Sequence, residues 1–361
     1  MKVMFVVHRM HPNLSEVHQA LISYGHQCVF VVAGVGPSEP DVFDNRILVD
    51  PNILSDAAVN EILDQNQPDL VVQRNIYGPY VLFWKIARKR GIPQVLYTQD
   101  PHEVPFFDAF VRPLRAIRLF RDLVIQRIKL GPHKRITPVQ YWGREHKFSF
   151  PNSEYVPFPA VIKSSKKWAV SGPLKVLTVA KHGQRRKRVR WLLKALRQAS
   201  PPFTLIVVGA SPNPSDQRKQ RNHSQFLQLV PKLGDRAENV IVYENLDRLE
   251  MEALYQASDI FALPSKRELM AISPLEAMSH GLPVLAGSDG GAASYIYPVG
   301  SDQIFRTRSY RDFQKKLYRL LEDEGLREKL SAQAIKHLEL THSAKAFVDH
   351  LMKIANTEIS K

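Results

Sequence analysis

The sequence predicts an α/β protein with two domains, each built on a parallel sheet. Short apolar runs alternate with segments of helical periodicity along most of the 361 residues, which is typical of a parallel sheet covered by helices on both faces. This length is enough for two domains that each bury a core. A stretch rich in proline, serine and lysine at 151–173 has few periodic apolar positions, and we interpret it as the linker between them.

The composition is that of a folded globular protein, with 44% hydrophobic and 24% charged residues. No apolar run approaches the roughly 20 residues that span a bilayer. The apolar opening is too short for a signal peptide and is predicted to be a first strand. Cys28 is the one cysteine, so it cannot form an internal disulfide, and we expect a small buried core residue and a reducing, cytoplasmic location.

The net charge of +15 calls for an anionic partner. The composition leaves three candidates open: nucleic acid, an anionic membrane surface and a phosphorylated substrate.

The N-terminal half begins with a βαβ unit. A strand is predicted at 3–7 because these residues are all apolar, a helix at 15–24 with Ser15 as its cap and Gly25 as its stop, and a strand at 27–33. The same reasoning gives helices at 57–65 and 80–90 and strands at 69–73 and 94–97.

A basic stripe follows in an apolar stretch at 106–130. The first arginines are spaced by three residues, so a helix over 112–129 would carry them on one side; they are Arg112, Arg115, Arg118 and Arg121. Two interpretations stay open, a solvated helix face and a surface that docks on anionic lipid.

The C-terminal half alternates in the same way. It has predicted strands at 174–180, 203–209, 240–243 and 259–265, helices at 189–199, 225–233 and 249–257, a polar loop at 210–222, and closing helices at 309–321, 325–337 and 343–356.

The segment from Glu268 to Gly291 is the centre of the functional prediction. Glu268 follows the strand at 259–265, and Ser273 with Pro274 is a helix start that places Glu276 in the first turn. Ligands bind at the carboxyl ends of strands in α/β sheets, and helix N-termini favour anionic or hydroxyl-rich groups. Ser273 and Glu276 also have the spacing of a capping box, which is the structural alternative for Glu276.

Two glutamates separated by seven residues and followed by Ala-Met-x-x-Gly-x-Pro-Val resemble the nucleotide-sugar loop of the retaining glycosyltransferases of family 4. The resemblance implies the GT-B fold, two Rossmann-like domains with parallel sheets that face each other across a cleft. It implies an acceptor-side domain at 1–160, a nucleotide-sugar-binding domain at 161–340, and a last helix at 341–361 that packs back on the first domain.

The resemblance also implies roles for single residues. Lys181 and Lys187 would hold the nucleotide diphosphate, and Glu276 would accept the ribose hydroxyls. Glu268 would be catalytic and face the donor sugar beside a backbone segment whose residues are Met270, Ala271, Ile272 and Ser273.

In the N-terminal half, the family pattern aligns a donor-facing group with Gln99 or Asp100, and His102 lies slightly further on. Asp100 is the predicted second catalytic residue. A basic cluster such as 185–188 is otherwise more often solvated surface or a polyanion patch.

The resemblance therefore predicts a retaining hexosyltransferase. Its donor would be a nucleoside diphosphate sugar, with UDP expected first, and its acceptor a glycan, a lipid-linked glycan or another hydroxyl compound. No Asp-x-Asp pair or His/Cys cluster with metal spacing lies near these loops, so no metal and no other cofactor is expected. The protein is expected in the cytoplasm, with peripheral association at the cytoplasmic membrane face.

Two alternatives remain. A GT-B nucleotide-sugar epimerase or hydrolase would use the same donor loop. A basic nucleic-acid-binding protein would use the charge alone, but aromatic residues are not interleaved with basic ones as in RNA-binding signatures, so no nucleic acid is expected.

Overall fold

The computed structural model describes residues 1–8, 10, 14–33, 45–50, 52–74, 80–98, 128, 130–131, 133–139, 153–163, 172–181, 184–266, 268 and 270–359. The chain divides into two compact units. One consists of Met1–Val161 with Thr341–Lys361, and the other of Ile162–Leu340. The predicted catalytic residue Asp100, its alternatives Gln99 and His102, and the arginine stripe lie outside the described residues.

The first unit contains a seven-stranded sheet in the order β3-β2-β1-β4-β5-β6-β7. All its neighbouring strands run parallel. The central strands are buried and rich in valine, as expected for a sheet with both faces covered. The strands are β1 Lys2–Val7, β2 Gln27–Val32, β3 Arg46–Leu48, β4 Leu70–Gln73, β5 Gln94–Tyr97, β6 Lys134–Thr137 and β7 Ser153–Tyr155.

The second unit contains a six-stranded sheet in the order β10-β9-β8-β11-β12-β13, again parallel throughout. This is the doubly wound Rossmann order, in which the direction of winding reverses between the two central strands. The strands are β8 Lys175–Val179, β9 Thr204–Gly209, β10 Val240–Glu244, β11 Ile260–Leu263, β12 Val284–Gly287 and β13 Ile304–Phe305.

Helices connect the strands in both units, and several begin at a side-chain cap. Ser55 accepts a hydrogen bond from the Ala58 amide, and Asp247 with Glu250 forms a capping box. The α-helices are α1 Leu14–Ser23, α2 Asp56–Asn66, α3 Tyr80–Lys89, α4 Arg190–Gln198, α5 Gln217–Leu227, α6 Arg248–Ala257, α7 Ser273–Ser279, α8 Ala293–Ile296, α9 Tyr310–Glu322, α10 Glu324–Thr341 and α11 Ala344–Ile359.

The C-terminal helix α11 belongs to the first unit, where it packs against α1. Its buried face includes Phe347 and Leu351, which line a small apolar cavity of about 30 Å³ together with residues of β1. The buried His342 ring, just before α11, lies 2.8 Å through Nδ1 from the carbonyl oxygen of Phe158. These contacts attach the end of the chain to the N-terminal sheet.

Three sequence predictions are corrected. Ser15 is not a helix cap, because α1 begins at the buried Leu14 and Ser15 lies in its first turn. The predicted loop at 210–222 contains the start of α5, where Asp216 accepts a hydrogen bond from the Lys219 amide at 2.9 Å. The predicted helix at 225–233 is interrupted, since α5 ends at Leu227 and a 3-10 helix occupies Pro231–Asn239.

The predicted linker at 151–173 also needs a correction, since β7 lies inside it as the edge strand of the first sheet. Cys28 is fully buried, as predicted. None of the described helices is long and apolar enough to cross a membrane.

Candidate functional site

The site lies where the second sheet reverses its winding, at the carboxyl ends of β8 and β11. The loop after β8 contains Lys181 and a 3-10 turn at Arg185–Lys187, and the loop after β11 contains Glu268. The Lys266 amide donates a hydrogen bond of 2.8 Å to the Arg186 carbonyl, which joins the two loops. This is the crevice in which open α/β sheets bind ligands.

Glu268 and Lys187 form the central contact of the site. Lys187 Nζ lies 2.7 Å from Glu268 Oε2, and Arg186 Nη1 lies 2.9 Å from the same oxygen. The Glu268 and Lys187 side chains are only 11% and 13% exposed, whereas that of Arg186 is 46% exposed. One carboxylate oxygen thus accepts from two cations, one of them largely withdrawn from water.

The pKa values of this pair are shifted by burial and by mutual attraction. Burial lowers the pKa of the Lys187 ammonium, and the Glu268 charge opposes that effect without cancelling it. Burial also acts to raise the pKa of the Glu268 carboxyl, but the charges and hydrogen bonds of Lys187 and Arg186 outweigh it and lower that pKa. Glu268 is therefore held as a carboxylate.

Lys181 is exposed, and its charge adds to the lowering of the Lys187 pKa. The two predicted diphosphate ligands are therefore close enough to interact. Three positive charges gather at the end of β8, which is a set of donors suited to a phosphate group.

The side chains of the basic run after Gln184 point in two directions. Arg186 and Lys187 turn to Glu268, while the Arg188 guanidinium lies 4.5 Å from the centre of the Trp191 ring and donates to the Thr307 carbonyl. Arg188 has a left-handed backbone, with φ of 51°. It therefore holds the end of the 3-10 turn and leaves the preceding side chains directed at Glu268.

The loop after β12 and the following helix α8 hold Glu268 and the segment after it in place. The Gly291 amide donates 2.9 Å to the Glu268 carbonyl, and the Tyr295 hydroxyl donates to the Ala271 carbonyl. A Cβ at Gly287 would lie 3.1 Å from the Ser265 carbonyl oxygen and 2.8 Å from Thr307 Oγ1. The close approach between the end of β12 and the loop after β11 therefore needs glycine at this position.

The predicted backbone-contact segment lies next to Glu268. Met270 and Ala271 are buried, and Ile272 and Ser273 are partly exposed. The capping-box interpretation of Glu276 is wrong: α7 begins at Ser273, the cap position Ile272 has helical angles, and no side chain caps the end. Ser273 is itself the first helical residue, so its hydroxyl is not in the capping position.

Glu276 instead bonds to the preceding helix. Its exposed carboxylate accepts a hydrogen bond of 2.8 Å from the Tyr255 hydroxyl through Oε2. Burial, followed by the charge of Glu276, raises the pKa of Tyr255 well above its usual range, so this hydroxyl stays a donor.

The structure thus brings Lys181, Lys187 and Glu268 together and adds Arg186, which the sequence motifs did not single out. It also adds Tyr255 and Tyr295, whose contacts are 21 and 24 residues away along the chain. The position of Arg186 next to Lys187 was the sequence signal that could have identified it. No local sequence pattern identifies Tyr255 or Tyr295. No group of three or more metal-type ligands lies among the residues that the structure describes.

Residues 161–337 match the family model described as glycosyl transferases group 1. D-inositol 3-phosphate glycosyltransferase of Salinispora arenicola is 31% identical over 147 residues, 40% of this chain and 32% of that relative. The GDP-mannose-dependent monoacylated alpha-(1-6)-phosphatidylinositol monomannoside mannosyltransferase of Corynebacterium glutamicum is 28% identical over 177 residues, 46% of this chain and 43% of that relative. The matches thus span less than half the length of these curated relatives.

Among solved structures, Anabaena Alr3699/HepE in complex with UDP and glucose matches with a TM-score of 0.70 at 17% identity, covering 100% of each chain. This match confirms the predicted GT-B fold with two parallel α/β sheets.

Proposed function

Because residues 161–337 match the family model of the group 1 glycosyl transferases, we propose that this protein transfers a hexose-type sugar from a nucleoside diphosphate sugar to a hydroxyl acceptor. The observation that carries the proposal is the cluster of Lys187, Arg186 and Glu268 at the winding reversal of the second sheet. It combines cations for a diphosphate with a carboxylate for sugar hydroxyls.

The cations serve the leaving group. Transfer breaks the bond between the anomeric carbon and a diphosphate oxygen, which takes the electron pair. Lys187, Arg186 and Lys181 stabilise the negative charge that develops there. These side chains supply the positive charge that a divalent ion provides in other transferases, so we propose that the reaction needs no metal.

The carboxylates position the donor. Glu268 accepts a hydrogen bond from a sugar hydroxyl after the diphosphate takes over its cations, and Glu276 accepts from the ribose. We propose that transfer retains the anomeric configuration: the acceptor oxygen bonds to the same face of the sugar, and its proton passes to the departing diphosphate oxygen. Such a reaction depends on placement and charge more than on a strong base.

UDP is the first candidate for the nucleotide. The similar Anabaena structure is a complex with UDP and glucose, whereas the name of the Corynebacterium relative specifies GDP-mannose. The residues that bind the ribose and diphosphate are shared by both choices, so binding has to be compared between bases.

We further propose that the acceptor is a glycan or a lipid-linked glycan met at an anionic membrane surface. The net charge is +15, and Lys85, Arg88 and Lys89 are exposed on the last turns of α3. The name of the Corynebacterium relative includes a monoacylated phosphatidylinositol monomannoside, which is a lipid-linked sugar. Sedimentation with vesicles tests this: we expect binding to vesicles with phosphatidylglycerol that weakens with salt, and no binding at low salt would contradict it.

The first experiment is a thermal unfolding panel with UDP, GDP, ADP and their sugars, each in EDTA and in Mg²⁺. A ligand that binds only the folded protein at about 100 times its Kd adds roughly 2.7 kcal/mol to stability. We expect one nucleoside diphosphate and its sugars to raise Tm in EDTA. If none of them raises Tm in either buffer, the proposed donor site is wrong. Donor consumption without any acceptor would instead indicate a hydrolase or epimerase.

A further inference from the structure

Glu276 is an exposed carboxylate that is held by a buried hydroxyl. It lies on α7, and its Oε2 accepts 2.8 Å from the Tyr255 hydroxyl of α6. Tyr255 is 2% exposed. Most glutamates on a helix surface rotate freely, so a bond to an immobile donor sets this one apart.

The Tyr255 ring is fixed from two sides. The His280 ring stacks on it with centroids 5.3 Å apart and planes 18° from parallel, and the Phe261 ring lies 6.2 Å away at 39°. His280 is itself buried, and burial lowers its pKa, so the ring stacked on Tyr255 is held neutral. The hydroxyl therefore has a defined position, and so has the carboxylate oxygen that it contacts.

The choice of a phenol as donor matters chemically. An ammonium or guanidinium partner would neutralise the carboxylate, as Lys187 and Arg186 do for Glu268. The Tyr255 phenol is neutral, so its hydrogen bond fixes one carboxylate oxygen without itself cancelling the negative charge. A carboxylate has about four lone-pair positions, so it can accept from a diol while Tyr255 occupies one of them.

We propose that Tyr255 is a positioning residue that holds Glu276 to accept hydrogen bonds from both hydroxyls of a vicinal diol, and that this contact makes the protein select ribonucleotides over 2′-deoxyribonucleotides. The inference rests on the proposed function, since it takes Glu276 as the ribose-binding group. It adds the residue that orients that group and the selectivity that results.

The test is calorimetric titration with UDP, GDP and ADP and with the 2′-deoxy form of each. The ribo-to-deoxyribo affinity ratio is the readout, because a purely structural loss weakens both ligands alike. Hydrogen bonds to charged groups contribute about 1.5–3 kcal/mol, so we expect the wild type to prefer the ribonucleotide at least about tenfold. Tyr255→Phe should weaken ribonucleotide binding severalfold and lower the ratio.

Tyr318→Phe is the matched control. Tyr318 is partly buried in the same unit, but its hydroxyl donates 2.8 Å to the Ala195 carbonyl and not to a carboxylate. The ratio should stay at the wild-type value in this variant. In a Glu276→Ala background, Tyr255→Phe should cause no further loss of nucleotide affinity, since the group that it positions is gone.

The outcomes separate the two claims. A wild-type ratio in Tyr255→Phe, with a reduced ratio in Glu276→Ala, overturns the role of Tyr255 and leaves the ribose site intact. An additional loss from Tyr255→Phe in the Glu276→Ala background has the same meaning. An unchanged ribonucleotide affinity in Glu276→Ala, or no binding of any of the three ribonucleotides by the wild type, overturns the proposed site itself.

Discussion

Glu268 and Glu276 belong to one segment, yet the donors described for their carboxylates differ in kind. Two cations pair with Glu268, and a neutral phenol donates to Glu276. A cation-paired carboxylate can exchange its partners with an incoming anion, whereas a hydrogen bond from a neutral phenol orients a carboxylate without cancelling its charge. The proposed function therefore assigns them different parts of a nucleotide sugar, the transferred sugar with its diphosphate for Glu268 and the ribose for Glu276.

Glu268→Gln tests the first of these roles. We expect transfer to fall by about 10²-fold, because a misplaced sugar loses the aligned geometry that the reaction needs. UDP affinity should not fall, since Lys187 loses a competitor for the diphosphate. Initial rates with a donor sugar and calorimetry with UDP measure the two effects separately.

Glu252→Gln is the control for this change. Its carboxylate also pairs with two cations, Lys163 at 3.2 Å and Arg248 at 3.3 Å, within the same unit. Transfer should stay near the wild-type rate in this variant. Full activity of Glu268→Gln would remove Glu268 from the reaction, and an equal loss in both variants would assign the effect to stability.

The resemblance to family 4 implied that Lys181, Lys187 and Glu268 serve one donor site, and Lys187 does contact Glu268. It could not predict the Tyr255 contact with Glu276. That hydrogen bond joins two helices across 21 residues, and no local pattern encodes the rotation of one helix about its axis. The capping-box interpretation failed for a similar reason, since a partner outside the helix took the carboxylate.

The 3-10 turn at Arg185–Lys187 is the element that determines which side chains of the basic run at 185–188 reach Glu268. The turn ends at Arg188, whose left-handed backbone directs its side chain away from those of Arg186 and Lys187. Arg186 and Lys187 reach Glu268, and Arg188 reaches Thr307 and Trp191. The charges of the sequence predict a general anion-binding patch, whereas the turn separates ligand-facing cations from a structural one.

Element prediction succeeded where hydrophobic periodicity was strong and failed where elements were short or polar. The valine-rich strands and amphipathic helices agree with prediction to within a few residues. Strand β6 reads Lys-Arg-Ile-Thr, and Arg135 is buried in it, so no apolar pattern showed it. Helix α5 is almost wholly polar and buries Phe226, so its cap at Asp216 was its main local signal.

At the scale of the molecule, the alternation of strands and helices was enough to predict two parallel sheets, because parallel strands need long crossover connections and most of these contain a helix. Strand order was not predictable from the same pattern. In the second unit it is this order that brings the loops after β8 and β11 together and so creates the site. The net charge of +15 favours anionic partners in general. The largely buried Lys187–Glu268 pair distinguishes the ends of β8 and β11 from the rest of this basic surface.

Calorimetric titration of UDP into wild type, Lys187→Ala and Arg185→Ala tests the central claim most directly. Both changes remove one charge from the same turn, but only Lys187 contacts Glu268, whereas the exposed Arg185 is 3.3 Å from Asn222 Oδ1. A charge-assisted hydrogen bond of about 1.5–3 kcal/mol corresponds to roughly ten- to hundredfold in affinity. We predict that loss for Lys187→Ala and less than about threefold for Arg185→Ala. Equal losses in both variants, as expected for a diffuse basic surface, or wild-type affinity in Lys187→Ala would contradict the account.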